Sequence, residues 1–450
     1  MDRTKSGQSD VRFESETADV EFTSAIGELP AHRPGKRTRS KANGGKTESK
    51  AAAGKGQLME FVAIASVPLV LVLGNSMLVP VLPEMQRALG ISQFQSSLVI
   101  SLFSIAAGLV IPIIGYLSDR FSRKAIMLPS LIVYGAAGIL AGLGAIWGSY
   151  TTIIIARAIQ GIGAAGTAPI AMALVGDMYK GGTESKALGL TEASNGAGKV
   201  VSPIIGSLLA LIVWYASFFA FPVFCLISIL LISFLIKEPK KERQAQKLGD
   251  YLHKIGSILK SKGRWLITAF FTGSLALFIL FGVLFYLSNI LEEAPYNIDG
   301  VRKGLILAIP LLGMVTTSYI TGSVIKKNGI LMRWLMNIGL LLMVVSLALT
   351  IFLYKNIYVF IGLLTLSSIG TGLVLPCLNT MITGSVQKSE RGMITSLYNS
   401  LRFLGVAFGP PLFGWMMDRS HSLVFIAVSS LSLLALLLVF FLIKPEAKVS

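Results

Sequence analysis

The chain has 450 residues, of which 53% are hydrophobic and only 14% are charged, and its mean hydropathy is +0.70. A soluble chain of this length would divide into domains with charged surfaces, so the composition excludes an ordinary soluble protein and favours a polytopic membrane protein. The formal net charge of +17 does not indicate a nucleic-acid partner, because the positive residues lie in loops and in the N-terminal tail.

The N-terminal tail, residues 1–57, is polar and basic and lacks apolar periodicity, which predicts a disordered cytoplasmic segment and not a signal peptide. A second basic stretch, residues 237–264, separates two apolar halves, residues 58–236 and 265–445. The apolar residues around Ile255 in this linker follow helical spacing, which predicts an amphipathic segment on the inner surface of the membrane.

About twelve segments, six in each half, have the roughly 20 apolar residues that a membrane-spanning helix needs. The sequence therefore predicts an all-α polytopic membrane protein with two six-helix bundles. The predicted spans are 59–81, 93–114, 125–147, 151–176, 187–210, 213–236, 265–289, 302–324, 331–353, 357–382, 394–415 and 422–443.

The loops on one face of this arrangement are rich in Lys and Arg, whereas the loops on the other face carry few positive residues. Short basic loops stay in the cytoplasm, so the pattern predicts a multi-pass protein of the cell membrane with both termini cytoplasmic. The basic loops contain Arg120, Arg123, Lys124, Lys180, Lys186, Lys326, Lys327, Arg333, Lys388 and Arg391.

The loop after the second span reads GYLSDRFSRK, beginning at Gly115. Its glycine permits close helix packing, and Asp119 can accept hydrogen bonds from Arg123 and from a helix N-terminus. The sequence resembles the loop signature of the major facilitator superfamily, with Ser122 where the family usually has glycine. The resemblance implies that this loop, including Arg120, holds the two halves together on the cytoplasmic side and releases them during transport. Alternatively, its positive charges only enforce the topology.

The fourth span carries the sequence RAIQG, beginning at Arg157. An arginine within a span costs about 2.5–3.5 kcal/mol on insertion scales, so its side chain should face protein or water. The sequence resembles the Arg-x-x-Gln-Gly motif of the same superfamily, which implies a part in proton coupling. The alternative is a structural anchor that bonds to the backbone carbonyls of a neighbouring helix.

The fifth span carries a spaced set of small residues together with a proline, namely Gly189, Gly198, Ser202, Pro203 and Gly206. Proline lacks a backbone N–H and kinks its helix, and small residues let another helix approach. The spacing resembles the motif Gly-x8-Gly-x3-Gly-Pro-x2-Gly-Gly of drug:proton antiporters, with serine at two glycine positions. The resemblance implies export and not uptake.

The same spacing returns in the second half, where Gly198 and Pro203 correspond to Gly405 and Pro410 (405 − 198 = 207). This offset also relates Pro169 to Pro376 and Gly115 to Gly322. The repeat predicts two halves with one fold, and duplicated bundles of this kind place a binding site near the middle of the membrane, between the repeats.

A polar stripe follows one face of the fifth span. At 100° per residue, Glu192, Asn195, Lys199 and Ser202 fall within about 80° of one another. Charges inside a span are candidates for function by default. The offset places Arg402 of the eleventh span opposite this stripe.

We therefore expect a cluster of three charges in a central cavity. The hypothesis is that Glu192 responds to protons, while Lys199 and Arg402 hold an acidic group of the substrate. Alternatively, the charges form a static network in which Arg402 bonds Asp119, or in which Glu192 and Lys199 neutralise each other. Further cavity candidates are Asn75 on the first span and Asn379 on the tenth.

Together with GNSMLVPVLP in the first span, these motifs resemble the twelve-span drug:proton antiporter group, in particular bacterial multidrug and siderophore exporters. The resemblance covers residues 58 to 445. It implies proton-coupled efflux of an amphipathic small molecule across the bacterial plasma membrane by a monomer surrounded by lipid. A lipid flippase and a nutrient or metabolite transporter of the same fold remain alternatives. We expect no enzyme activity, cofactor or metal, because no metal cluster, nucleophile triad or phosphate-binding loop is present.

Overall fold

The computed structural model describes residues 44–180, 182–238, 248–325, 328–384 and 391–443. The chain divides into two compact units, residues 1–52 and 53–450, and of the first unit only residues 44–52 are described. Residues 1–43 of the predicted tail lie outside the described part. Residues 44–57 are helical and so differ from the predicted disorder; the three alanines and three lysines of this stretch favour a helix, whereas its four glycines do not.

The described residues of the second unit are almost entirely helical, with one short 3-10 helix at Val79–Val81. The α-helices are α1 Gly44–Ser76, α2 Leu82–Leu89, α3 Gln93–Arg120, α4 Arg123–Ile146, α5 Tyr150–Ala165, α6 Ala168–Met178, α7 Gly182–Ala210, α8 Ala216–Leu235, α9 Leu248–Glu292, α10 Gly300–Val324, α11 Gly329–Leu353, α12 Ile357–Gly384, α13 Arg391–Met417 and α14 His421–Leu442.

These helices correspond to the twelve predicted spans. The first span is interrupted where Pro80 occupies the first turn of the 3-10 helix between α1 and α2. The fourth span is interrupted before α6, which has Pro169 in its first turn. Proline is favoured at such starts because it has no N–H to leave unpaired.

Ten of the described helical stretches are long and apolar enough to cross a membrane. The fifth and eleventh predicted spans, α7 and α13, are not among the ten, and they are the two helices that carry the polar stripe and its counterpart. The predicted twelve-helix architecture with two six-helix bundles is confirmed.

Within the first half, α4 packs against α5 and α8, and α3 packs against α5. In the second half α12 packs against α10 and α11, and α11 packs against α14. Two helix pairs form most of the contact between the halves, since α3 packs along α13 and α7 packs along α10. The surface between the halves is therefore formed mainly by the second, fifth, eighth and eleventh spans.

The linker between the halves has a helical end, as its spacing predicts. The helix is α9, which runs for 45 residues without a break from Leu248 into the seventh span. The predicted separate segment on the membrane surface is thus an extension of that span in the structure. Among the apolar residues that define the predicted amphipathic segment, Ile258 is the one whose side chain the structure describes, and it is buried.

Large apolar side chains cover much of the outer surface of the bundles. Phe234, Phe352 and Tyr358 are each more than three-quarters exposed, at 78%, 77% and 84%. A soluble monomer rarely exposes apolar area on this scale, whereas a bilayer removes it from water.

Candidate functional site

One residue of the polar stripe on α7, Lys199, lies near Arg402 of α13. Lys199 is close enough to both Glu192 and Arg402 to interact electrostatically with each of them. Glu192 is exposed, whereas Lys199 and Arg402 are half-buried. No ion pair within 4 Å joins the three charges in the described part of the chain, so the cations are not neutralised by direct contact with Glu192.

Arg402 has unused hydrogen-bonding capacity. Its Nη1 donates to Oδ1 of Asn399 at 3.3 Å, and its guanidinium carbon lies 5.4 Å from the ring centre of Tyr398. Its buried Nε has no acceptor among the described residues, and Oδ1 of Asn195 has no donor there. Buried polar atoms normally have partners, so these two atoms indicate a place for a polar ligand.

The alternative partner of Arg402 was the loop aspartate, Asp119. The backbone of Asp119 belongs to α3, but its side chain lies outside the described part of the structure. Asn379 is half-buried on α12, and no hydrogen bond between described residues joins its side chain to the charge cluster.

Arg157 lies in a separate network inside the first bundle, and its side chain is 0% exposed. Its Nε donates to the carbonyl of Val99 at 2.8 Å, and its Nη1 donates to the carbonyl of Gly74 at 3.2 Å. Its remaining partners are Oε1 of Gln160 at 2.5 Å and Oδ1 of Asn75 at 2.8 Å. These contacts join α5 to α1 and α3. Such an arrangement is expected if Arg157 acts as a structural anchor.

Asn75 belongs to this network and not to the polar stripe. It is 5% exposed, and besides accepting from Arg157 it donates to Oγ of Ser104 at 3.1 Å. The ring of Phe103 lies 4.3 Å from the guanidinium carbon of Arg157, a distance typical of a cation–π contact. The buried charge of Arg157 is therefore stabilised by hydrogen-bond acceptors and by the aromatic ring of Phe103.

The glycine-rich motif of α7 packs that helix against the first span. A Cβ at Gly206 would lie 2.0 Å from the backbone oxygen of Met77, and one at Gly198 would lie 2.9 Å from Leu69. The hydroxyl of Ser202 donates to the backbone oxygen of Gly198. Pro203 lies inside the helix, but a Cβ at Gly189 would meet nothing within 4 Å.

The loop between α3 and α4 is held within the first bundle by two acids that the sequence analysis missed. Nε of Arg123 lies 3.0 Å from Oδ2 of Asp177 at the end of α6. The carboxylate of Glu238 accepts from the backbone N–H groups of Arg123 at 2.8 Å and Lys124 at 3.0 Å. A carboxylate is stabilised at a helix N-terminus, and Glu238 occupies that place at the start of α4.

Two other residues of the motif lie outside the first bundle's interior, one exposed and one at the second bundle. Arg120 is exposed, with its guanidinium carbon 5.9 Å from the ring centre of Phe121. Gly115 lies at the contact with the second bundle, because a Cβ there would come 2.6 Å from Oγ of Ser396 on α13. The glycine thus contacts the opposite half, while the positive residues that are described contact their own half.

Comparison with known proteins identifies relatives along most of the chain. The model of the Major Facilitator Superfamily matches residues 64–336 and 285–450. The bacillibactin exporter of Bacillus subtilis (strain 168) is 43% identical over 393 residues, which are 86% of this chain and 97% of that protein. The class C tetracycline resistance protein of Escherichia coli is 28% identical and covers 75% of this chain and 84% of its own.

Solved structures share the fold at low sequence identity. The D-xylose-proton symporter superposes with a TM-score of 0.70 at 14% identity, over 87% of this chain and 99% of its own. The human organic anion transporter TETRAN superposes with a TM-score of 0.67 at 20% identity, over 85% of this chain and 99% of its own.

Proposed function

Because the chain belongs to the major facilitator superfamily, we propose that it exports an anionic, amphipathic small molecule in exchange for protons, by alternating access. A catecholate siderophore is the first candidate substrate. The observation that carries the proposal is the charge cluster between the bundles, in which Lys199 lies near both Arg402 and the carboxylate of Glu192. The similarity to a bacillibactin exporter supports the substrate class.

The orientation in the membrane follows from the charged loops. Loops that contain residues 120–124 and 180–186 belong to the cytoplasmic face, and both termini lie on that side. The end of the molecule that carries α2 and the loop between α9 and α10 then faces outwards. The protein is a bacterial plasma-membrane transporter in this proposal.

Binding at the cluster depends on the protonation of Glu192. While Glu192 is ionised, it partly compensates the positive charge of Lys199 and Arg402. A proton on Glu192 removes that compensation and so changes the net charge that the cluster presents to an acidic group of the substrate. The unpaired Nε of Arg402 supplies a donor, and the ring of Tyr398 beneath the guanidinium supplies an apolar surface.

A secretion assay in a deletion strain tests the substrate class and the site. The strain should lose siderophore secretion and keep its resistance to drugs. The wild-type gene should restore secretion, and the Arg402→Gln variant should restore at most a small fraction of it, because a guanidinium–anion contact is lost. Arg302→Gln, an exposed arginine outside the cluster, is the matched control and should restore secretion fully.

Two results would overturn the proposal. Drug sensitivity of the deletion strain with normal secretion would refute the siderophore as substrate. Full secretion by a well-expressed Arg402→Gln variant would refute the role of the charge cluster in binding.

A further inference from the structure

A second charge cluster closes the gap between the bundles at the end opposite the basic loops. The carboxylate of Glu292, at the end of α9, accepts hydrogen bonds from Arg87 of α2 and from Lys303 of α10. The side chains of Glu292 and Lys303 are only 7% and 3% exposed, whereas that of Arg87 is 63% exposed. One buried carboxylate thus binds one cation from each half of the molecule.

Uncharged contacts next to this cluster join the same elements. Nε2 of Gln86 donates to Oδ1 of Asn289 at 3.2 Å and to Oγ of Ser96 at 2.8 Å. The hydroxyl of Ser288 donates to the backbone oxygen of Val79 at 2.9 Å. The first and seventh spans are therefore bonded to each other across the halves at this end.

The fifth and eighth spans are in close contact at this end and not at the other. A Cβ at Gly304 of α10 would lie 2.6 Å from Oγ of Ser207 on α7. Towards the basic loops, a Cβ at Gly189 of α7 or at Gly322 of α10 would meet no described atom within 4 Å. The molecule is thus closed at the end that carries Glu292.

The two cations bound to Glu292 have different positions relative to the bundle boundary. Arg87 lies in the half opposite to Glu292, so it must leave when the halves separate at this end. Lys303 lies in the same half as Glu292 and can stay with it. A buried carboxylate left without a partner is strongly unfavourable, so a resident cation makes the departure of Arg87 possible.

We propose that Arg87, Glu292 and Lys303 form an outer gate in which Arg87 is the movable latch and Lys303 is a fixed counter-ion. Neutralising Arg87 removes the bond between the halves and favours the outward-open state. Neutralising Lys303 leaves Glu292 dependent on Arg87 alone, which favours the closed state. Glu84 lies close enough to Arg87, Lys303 and Glu292 to interact electrostatically with them, and Asp299 lies close to Glu84. The inference rests on the alternating access of the proposed function, and not on its substrate or its protons.

Access to Ser288 from outside measures the state of the gate, because this residue is 0% exposed and lies at the bonded interface. The experiment uses a Ser288→Cys reporter in a chain whose two cysteines, Cys225 and Cys377, are replaced by alanine. Intact cells are treated with a membrane-impermeant maleimide, and the rate of labelling is measured. Labelling of denatured protein corrects for the amount of each variant.

Two neutralising variants should change the labelling rate in opposite directions. Arg87→Gln should be labelled several-fold faster than the parent, and Lys303→Gln several-fold more slowly. Lys303→Arg keeps the counter-ion and should be labelled at the parent rate, which separates loss of charge from misfolding. Glu293→Gln, an exposed neighbour outside the cluster, is the control and should also match the parent.

Faster labelling of Lys303→Gln would overturn the proposal, because Lys303 would then be a second latch. Equal rates for Arg87→Gln and the parent would also overturn it, since the ion pair would not control opening. Absence of labelling in every variant, including the parent, would refute alternating access and with it the proposed function. Normal gating together with unaffected siderophore secretion in the deletion strain would refute the substrate alone.

Discussion

Arg157 binds more partners than any other charged side chain described within the spans, and this predicts a structural penalty for its loss. Replacing it by lysine removes hydrogen bonds to buried oxygens of Val99, Gly74 and Asn75, because an ammonium cannot reach all three at once. Each buried group without a partner costs about 1–3 kcal/mol, so we expect Arg157→Lys to lower the thermal unfolding midpoint of the purified protein strongly.

The matched control for Arg157 is Arg120→Lys in the exposed part of the loop, which should unfold at the parent temperature. A result in which Arg157→Lys unfolds like the parent but transports nothing would contradict the anchor and favour the proton-coupling alternative. The residue motif alone could not decide between these roles. The support for the anchor comes from acceptors on α1 and α3, which are brought to Arg157 only by packing.

At the scale of a helix, the contact between α7 and the first span predicts different effects for two glycines of one motif. A methyl group at Gly206 would clash with the backbone oxygen of Met77, which cannot turn aside as a side chain could. We expect Gly206→Ala to destabilise the protein by about 1–3 kcal/mol, as overpacking does, and to reduce transport. Gly189→Ala meets open space and should be neutral or stabilising by about 0.5–1 kcal/mol, because alanine favours a helix.

Thermal unfolding and vesicle transport of the two variants, measured side by side, test this prediction. If Gly189→Ala were as damaging as Gly206→Ala, the motif would serve helix flexibility along its whole length and not one packing contact. The sequence predicts the same packing role for both glycines, because the spacing of a motif identifies small residues but does not show what lies next to them. Only the structure separates the glycine that is in contact from the one that is not.

For the whole molecule, apolar length and the internal repeat were sufficient to predict twelve helices in two bundles. The repeat also predicts that Arg402 lies opposite the stripe that contains Lys199, because equivalent positions of a repeat share a register, and this stays a prediction. Contacts between the ends of helices that are distant in the sequence were not predictable in this way. Glu238 follows α8 and Glu292 ends α9, and nothing in their local sequence says which groups of other elements they bind.

The whole transporter should move its substrate outwards and take up protons from outside in exchange. In everted vesicles the lumen corresponds to the outside, so acidifying it should drive a radiolabelled catecholate siderophore into the lumen. One pH unit supplies about 1.4 kcal/mol per proton, which supports about tenfold accumulation if one proton is exchanged for one substrate. Accumulation that falls on acidification would instead indicate an importer, the alternative of the same fold.

The coupling carboxylate is tested in the same vesicles. Glu192→Gln mimics the protonated acid, so its accumulation should no longer respond to the pH gradient, while substrate exchange without a gradient persists. Glu184→Gln, near the start of the same helix, is the control and should respond as the parent does. An undiminished response by Glu192→Gln would mean that another group carries the proton.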